Sequence, residues 1–180
     1  MNRKLNFYAG PSTLPVEVLE EMKKHIDDYH GNGYSIIEAS HRGKVYDDLH
    51  KQAVALLKEQ MNIPENYSVL FLGGGATLQF AMVPYNLLGQ GQTADIVDSG
   101  AWASKAVKDA KKIGNVNVLF DGSKENYSTL PSPSDITPSS DSAYVHITSN
   151  ETIGGIQWKD WPDTGDVPLV ADMSSDILSR

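Results

Sequence analysis

The sequence predicts an α/β protein with a mostly parallel sheet and helices on both of its faces. The first observation is an alternation of short apolar runs and helical segments between residues 68 and 120. The second is a pair of further apolar runs, at 143–147 and 168–173, that have the length of buried strands. Strands that alternate with helices are typical of parallel sheets, and ligands bind such sheets beyond the carboxyl ends of the strands.

Local patterns justify each element in turn. Pro15 suits the first turn of a helix that Gly31 ends, and a second amphipathic helix covers residues 43–61 with Asp47 and Lys51 paired on its outer side. Pro84 should bend or interrupt a later, nearly uncharged and therefore buried helix. We interpret the loop at residues 121–141 as mobile surface. The predicted strands are 68–72, 94–98, 116–120, 143–147 and 168–173, and the helices between the first three are 76–88 and 104–113.

Composition narrows the class of protein. At 180 residues the chain is long enough for one well-cored domain, and 40% hydrophobic with 21% charged residues is ordinary globular composition. A net charge of −8 argues against a nucleic-acid surface, and zero cysteines exclude disulfides, thiolate metal sites and a cysteine nucleophile. The N-terminus lacks a signal-peptide core and no apolar run approaches the length of a membrane span, so a cytoplasmic protein is expected.

The glycine turn, residues 73–75, joins the first predicted strand to the helix at 76–88. Such a turn leaves the first helical N–H groups unpaired, and with the helix dipole they suit a phosphate. A dinucleotide fingerprint would need glycine at Leu78, and the Gly43–Lys44 pair lacks the Ser or Thr that a P-loop requires next. A tight connection that binds nothing is the alternative to a phosphate site.

Residues with polar or flat side chains follow the other predicted strands. Asp172 closes an apolar strand, where a carboxylate needs a cation or hydrogen-bond donors: it either caps the turn at Ser174 and Ser175 or holds a cationic ring nitrogen. Trp102 could stack on a flat ligand or belong to the core, and Thr152 offers a hydroxyl unless its segment is only an Asx turn. Together with the glycine turn, these residues describe a site for pyridoxal phosphate (PLP).

Five separated motifs carry a resemblance to a known family along the whole chain. They are Gly10-Pro11 with Leu14-Pro15, Ser40-His-Arg-Gly-Lys44, Gly73–Gly75 with Gln79-Phe80, Ser149–Ile153 and Ala171–Arg180. In sequence and spacing they resemble the phosphoserine aminotransferases, class-V members of the fold-type-I PLP enzymes. The resemblance implies exchange of an amino group between phosphoserine, or 3-phosphohydroxypyruvate, and glutamate, or 2-oxoglutarate, in serine biosynthesis. It also implies a homodimer.

The same resemblance implies a role for each matching position. The backbone at Ala76 and Thr77 would contact the phosphate, and Trp102 would stack on the pyridine ring. Thr152 would lie near the phenolic oxygen and Asp172 would pair with the pyridinium nitrogen, which keeps the ring protonated. In chain order, the cofactor residues implied are Gly75, Ala76, Thr77, Trp102, Thr152 and Asp172.

The substrate residues implied are His41 and Arg42. Arg42 would receive the distal acid of glutamate or phosphoserine, because a guanidinium suits both carboxylate and phosphate. Without the resemblance, this cationic link is interpreted as solvated surface. None of the five histidines has metal-ligand spacing, so no metal site is predicted.

Two departures from the family pattern bear on activity. Some relatives carry a basic residue where Thr77 stands, so charge assistance to anions is weaker or comes from elsewhere. The family's Schiff-base lysine follows the Leu-Ser-Arg motif with which this chain ends, at Arg180. We therefore expect residues 1–15 to form an arm, residues 16–180 an incomplete large domain without the small C-terminal domain, and this chain alone to be inactive. The alternatives are another fold-type-I PLP enzyme, or a non-catalytic binding or assembly domain.

Overall fold

The computed structural model describes residues 3–8 and 12–179. Gly10, Pro11 and Arg180, which belong to two of the five motifs, lie outside the described residues, as does part of the predicted arm. The chain divides into two compact units, Met1–Phe71 and Leu72–Arg180. No helix in the described residues is both long enough and apolar enough to cross a membrane.

The N-terminal unit consists of α1 (Val16–Asp27), a 3-10 helix (Ile36–Glu38) and α2 (Lys44–Met61). Both long helices confirm the prediction, although α1 already ends at Asp27. The expected surface pair of α2 is present, with 2.7 Å between Lys51 Nζ and Asp47 Oδ2. The link between the helices is fixed at the 3-10 turn, where the Glu38 carboxylate accepts the Ser35 N–H at 2.9 Å.

The predicted strand at residues 68–72 is wrong. These residues have no regular secondary structure, and Leu70, Phe71 and Leu72 are 70%, 53% and 55% exposed. An apolar run becomes a strand only where another strand pairs with its backbone, and no strand in the described residues does so. The local pattern detects the capacity to pair but contains no information about the partner.

The C-terminal unit is built on a four-stranded parallel sheet. Its strands are β1 (Thr93–Asp98), β2 (Asn115–Asp121), β3 (Ser142–Thr148) and β6 (Leu169–Asp172). They lie in the order β2-β1-β3-β6 and confirm four of the five predicted strands within one or two residues at each end. Between β3 and β6, a small antiparallel hairpin pairs β4 (Asn150–Glu151) with β5 (Ile156–Gln157).

Two helices accompany this sheet. The first, α3 (Gly75–Leu87), continues through Pro84 without interruption; Phe80 is buried, but Tyr85 is 74% exposed, so the predicted burial holds for one side only. The second, α4, covers Ala101–Ala110 and therefore begins at Ala101 rather than at the predicted Ser104.

The sheet has a buried cluster on each face, because successive strand residues point to opposite sides. One face packs against α4 through Ile96, Val107 and Ala110. The cluster on the other face consists of Val97, Ile136, Val145, Ile147 and Trp158. Ile136 belongs to the segment predicted as mobile surface, so part of that segment packs on the sheet instead.

Replacing Ile147 tests the second cluster. This residue is fully buried, so Ile147→Ala should lower the free energy of unfolding by about 2–5 kcal/mol through lost contacts and a residual cavity. Ile153→Ala is the matched control, because Ile153 is 72% exposed and its truncation should change the free energy by less than about 0.5 kcal/mol. Urea unfolding of both variants provides the measurement, and equal losses would contradict the assigned core.

Candidate functional site

The carboxyl ends of the parallel strands meet at one edge of the sheet, where a pocket opens. In the register of the sheet, Thr148 lies beside Asp172 at this edge. The pocket has a volume of 390 Å³, within the range of small-molecule sites. Its lining comes from α3, from β3 and β6, and from the turn after β6: Ala76, Gln79, Phe80, Val83, His146, Val170, Ala171, Asp172, Met173, Ser174 and Ile177.

The N-terminus of α3 brings unpaired backbone donors to this pocket. Gly74 and Gly75 adopt positive φ values of 93° and 60°, and a Cβ on Gly74 would lie 2.4 Å from Leu78 Cδ2, so glycine is required there. The first helical hydrogen bond is donated by Leu78 N–H to the Gly74 carbonyl. The N–H groups of Gly75, Ala76 and Thr77 have no acceptor among the described residues, and they form the donor set that suits an anion.

Asp172 uses one carboxylate oxygen for structure and leaves the other free. Its Oδ1 accepts the Ser174 N–H at 3.1 Å and also the Ser174 hydroxyl, which is the turn cap that the sequence suggests as one interpretation. Ser175 does not take part; its hydroxyl binds the Asn150 carbonyl instead. Oδ2 has no hydrogen-bond partner within the part of the chain that the structure describes, so the turn cap and a ligand contact are compatible.

Trp102 and Thr152 do not belong to the lining of the pocket. Trp102 is in the first turn of α4, just beyond β1, and is 37% exposed. Thr152 follows β4, and its hydroxyl makes no hydrogen bond within the described residues. The two positions are connected through Glu151, whose carboxylate accepts the Trp102 N–H at 3.0 Å. Sequence reasoning assigned no role to Glu151, because its partner is distant in the chain.

His41 and Arg42 belong to the N-terminal unit, and the other predicted site residues belong to the C-terminal unit. Both are exposed, in the turn that precedes α2. The turn is closed by a 2.8 Å hydrogen bond from Gly43 N–H to the Ser40 carbonyl, and Arg42 N–H donates to the Ser40 hydroxyl at 3.3 Å. The guanidinium has no ion-pair partner among the described residues, and the same group of residues contains no metal-binding cluster of three His, Asp or Glu side chains.

His146 is a pocket residue that sequence reasoning missed. It lines the pocket with Asp172, is 5% exposed, and its Nδ1 has no hydrogen-bond partner among the described residues. Burial lowers the pKa of His146 from 6.5 to about 4, against the opposing effect of the Asp172 charge. The imidazole is therefore neutral at physiological pH. The available signal was a histidine within the otherwise apolar run of β3.

The pKa of His146 predicts a specific loss of stability in acid. Because its folded-state pKa lies below the unfolded value, the unfolded chain takes up the proton first as the pH falls from 6.5 towards about 4. Stability present above pH 6.5 is lost across that window and levels off below it. Between pH 7.5 and pH 5 the wild type should lose about 2 kcal/mol more than His146→Gln. Urea unfolding at both pH values measures this.

The exposed His41 provides the control for this experiment. His41→Gln makes the same substitution at an exposed position and should lose as much stability as the wild type over the same pH interval, because it leaves the buried His146 in place. A His146→Gln variant whose loss equals that of the wild type would show that His146 is not buried in its neutral form.

Comparison with known proteins agrees with this fold. A family model described as aminotransferase class-V matches residues 4–180. The phosphoserine aminotransferase of Lysinibacillus sphaericus is 54% identical over 178 residues, which are 99% of this chain and 49% of the relative. The solved phosphoserine aminotransferase from Bacillus circulans subsp. alkalophilus has a TM-score of 0.94 at 52% identity, covering 97% of this chain and 48% of that one.

A PLP-bound phosphoserine aminotransferase from Trichomonas vaginalis has a TM-score of 0.81 at 33% identity, over 95% of this chain and 48% of that one. This chain thus spans about half the length of the relatives it matches. The shared fold confirms the predicted mostly parallel sheet with helices. Because the family model matches the sequence almost from end to end, the chain belongs to the class-V aminotransferase family.

Proposed function

We propose that this chain is the N-terminal part of a PLP-dependent phosphoserine aminotransferase. The complete enzyme would exchange an amino group between O-phospho-L-serine, or 3-phosphohydroxypyruvate, and glutamate, or 2-oxoglutarate, in serine biosynthesis. The names of the relatives support this assignment, and since the chain spans about half their length, the activity is proposed for the longer protein. The observation that carries the proposal is the pocket that both Ala76 of α3 and Asp172 of β6 line.

The residues of this pocket suit PLP at two points of that molecule. The unpaired N–H groups of Gly75, Ala76 and Thr77 are donors for its phosphate, and the helix dipole adds to their attraction for an anion. The free oxygen of Asp172 is an acceptor for the protonated ring nitrogen. When bound, PLP supplies a ring that withdraws electrons from a carbanion at the amino carbon of the substrate.

Three side chains would orient the bound ring, and one of them would keep its nitrogen protonated. Asp172, fixed through Oδ1 by Ser174, holds the proton on the ring nitrogen and so keeps the ring electron-withdrawing. Trp102 would provide a flat, partly exposed surface on which the ring could stack. The free hydroxyl of Thr152 would be available to donate to the phenolic oxygen of the ring. With Thr77 in place of a basic residue, the phosphate depends on backbone donors at this position.

The distal acid of the substrate is assigned to Arg42, with His41 beside it. An exposed guanidinium without an ion-pair partner in the described residues is available to a carboxylate or a phosphate. We place the complete enzyme in the cytoplasm as a homodimer. No lysine of this chain follows the family's Schiff-base motif, so we infer that residues 1–180 alone do not turn over substrate.

Replacing Arg42 in the full-length protein tests the substrate class. Arg42→Ala should lower kcat/KM for phosphoserine and glutamate about ten- to hundred-fold, because a charge-assisted contact contributes about 1.5–3 kcal/mol. Alanine, which has no distal acid, should be nearly unaffected as a slow substrate. Arg42→Lys should recover only part of the loss, because an ammonium cannot make the paired contact. Steady-state kinetics with the three amino acids measure this.

Lys44→Ala is the matched control. Lys44, the first residue of α2, is also an exposed cation and follows this turn directly, but it pairs with Asp48 on the same helix, so its loss should leave all three kcat/KM values unchanged. An Arg42→Ala variant that loses equally on alanine would mean that Arg42 supports structure or cofactor. A wild-type enzyme that prefers alanine to phosphoserine would overturn the proposed function itself.

A further inference from the structure

Glu151 is a buried carboxylate that no proposed step uses. It is 1% exposed, in the short hairpin strand β4. Its Oε2 accepts the Trp102 N–H at 3.0 Å, and its Oε1 accepts the Ala103 N–H at 2.9 Å and, more weakly, the Ser99 hydroxyl at 3.4 Å. No lysine or arginine of the described chain forms an ion pair with it. The charge is therefore balanced by the first turn of α4 and its dipole.

The N-terminus of α4 has no cap from its own sequence. Gly100 at the N-cap position has no side chain to accept a hydrogen bond, and the first turn contains no acidic residue. A local serine or aspartate at position 100 is excluded by Glu151 itself, because a Cβ there would lie 2.4 Å from the Glu151 Cδ atom. The N-terminus of α4 is therefore capped by a carboxylate from β4 instead of by a residue of its own segment.

The Glu151 cap connects the end of β1 with the end of β4, next to Trp102 and Thr152, which the proposed function assigns to PLP. Glu151 immediately precedes Thr152 and binds the backbone of Trp102. The Trp102 side chain is 37% exposed, and within the described residues no aromatic ring stacks on it. Its backbone, in contrast, is held directly by the Glu151 carboxylate.

We propose that Glu151 is a positioning residue: its carboxylate caps α4 and so holds the indole of Trp102 in register with Thr152, where the ring of PLP binds. The inference rests on the proposed function for the identity of the ring. The capping contact itself does not. Glu151 touches neither substrate nor cofactor in this scheme, and it acts through the backbone of Trp102.

Glu151→Gln in the full-length protein is the test. The variant keeps the size of the side chain but replaces one acceptor oxygen by an amide nitrogen, so one N–H of the α4 first turn loses its partner. Hydrogen exchange in peptides covering residues 99–104, followed by mass spectrometry, should become faster by about tenfold or more. In the PLP-loaded protein, the circular dichroism band of the cofactor should change, because the ring stacks on a displaced indole.

Two further variants separate positioning from general damage. Gly100→Ala keeps the glutamate at position 151, but the added Cβ displaces its carboxylate. This variant should show the faster exchange and the altered cofactor band even where Glu151→Gln folds poorly. Glu38→Gln removes a comparable capping carboxylate in the N-terminal unit, at the Ser35 N–H, and should leave exchange at 99–104 and the cofactor band unaltered.

The outcomes distinguish this inference from the proposed function. A wild-type protein that binds no PLP would overturn both. A wild type that binds PLP, with Glu151→Gln and Gly100→Ala showing either unchanged exchange at residues 99–104 or an unchanged cofactor band, would overturn the positioning role alone. A change of the cofactor band in Glu38→Gln as large as in Glu151→Gln would also overturn it.

Discussion

The parallel pairing of β3 with β1 on one side and β6 on the other is the constraint on which the site depends. Because all three strands run in the same direction, residues distant in the sequence finish at one edge: β1 leads into Trp102, β3 into Glu151 and Thr152, and β6 ends at Asp172. An antiparallel neighbour would place one of these groups at the opposite edge. The two clusters, one on each face of the sheet, hold this register, so core packing and site geometry are linked.

Buried charge in the C-terminal unit is balanced mainly by hydrogen-bond donors. Glu151 is satisfied by the first turn of α4, and the fully buried Asp95 by the Ser139 N–H at 2.7 Å and the Asn117 amide at 2.9 Å. His146 is kept neutral by its burial. Asp172 is the single acid among the lining residues of the pocket, and the N-terminus of α3 at Ala76 offers N–H donors that suit an anion. This charge pattern is complementary to a ligand with a cationic ring and an anionic tail.

Patterns within a few residues predicted most of the fold. The apolar runs at β1, β2, β3 and β6 identified the strands. Asp172 was identified as a candidate site residue because a carboxylate at the end of such a run needs a cation or hydrogen-bond donors. The run at residues 68–72 has the same local character, but no strand in the described chain pairs with it. The strand prediction failed there because strand formation depends on a pairing partner. The roles of Glu151 and His146 were not predicted, because they depend on neighbours that are distant in the sequence. The start of α4 at Ala101 was missed for the same reason, since its cap comes from β4.

In the proposed function, PLP binds in the pocket at the carboxyl edge, with its phosphate on the α3 terminus and its ring nitrogen at Asp172. A crystal structure of the full-length protein with PLP tests it most directly. We expect phosphate oxygens within hydrogen-bond distance of the N–H groups of Ala76 and Thr77, and the ring nitrogen beside the oxygen of Asp172 that Ser174 leaves free. Density for PLP at another place, or a ring nitrogen that faces solvent while Asp172 only caps its turn, would contradict it.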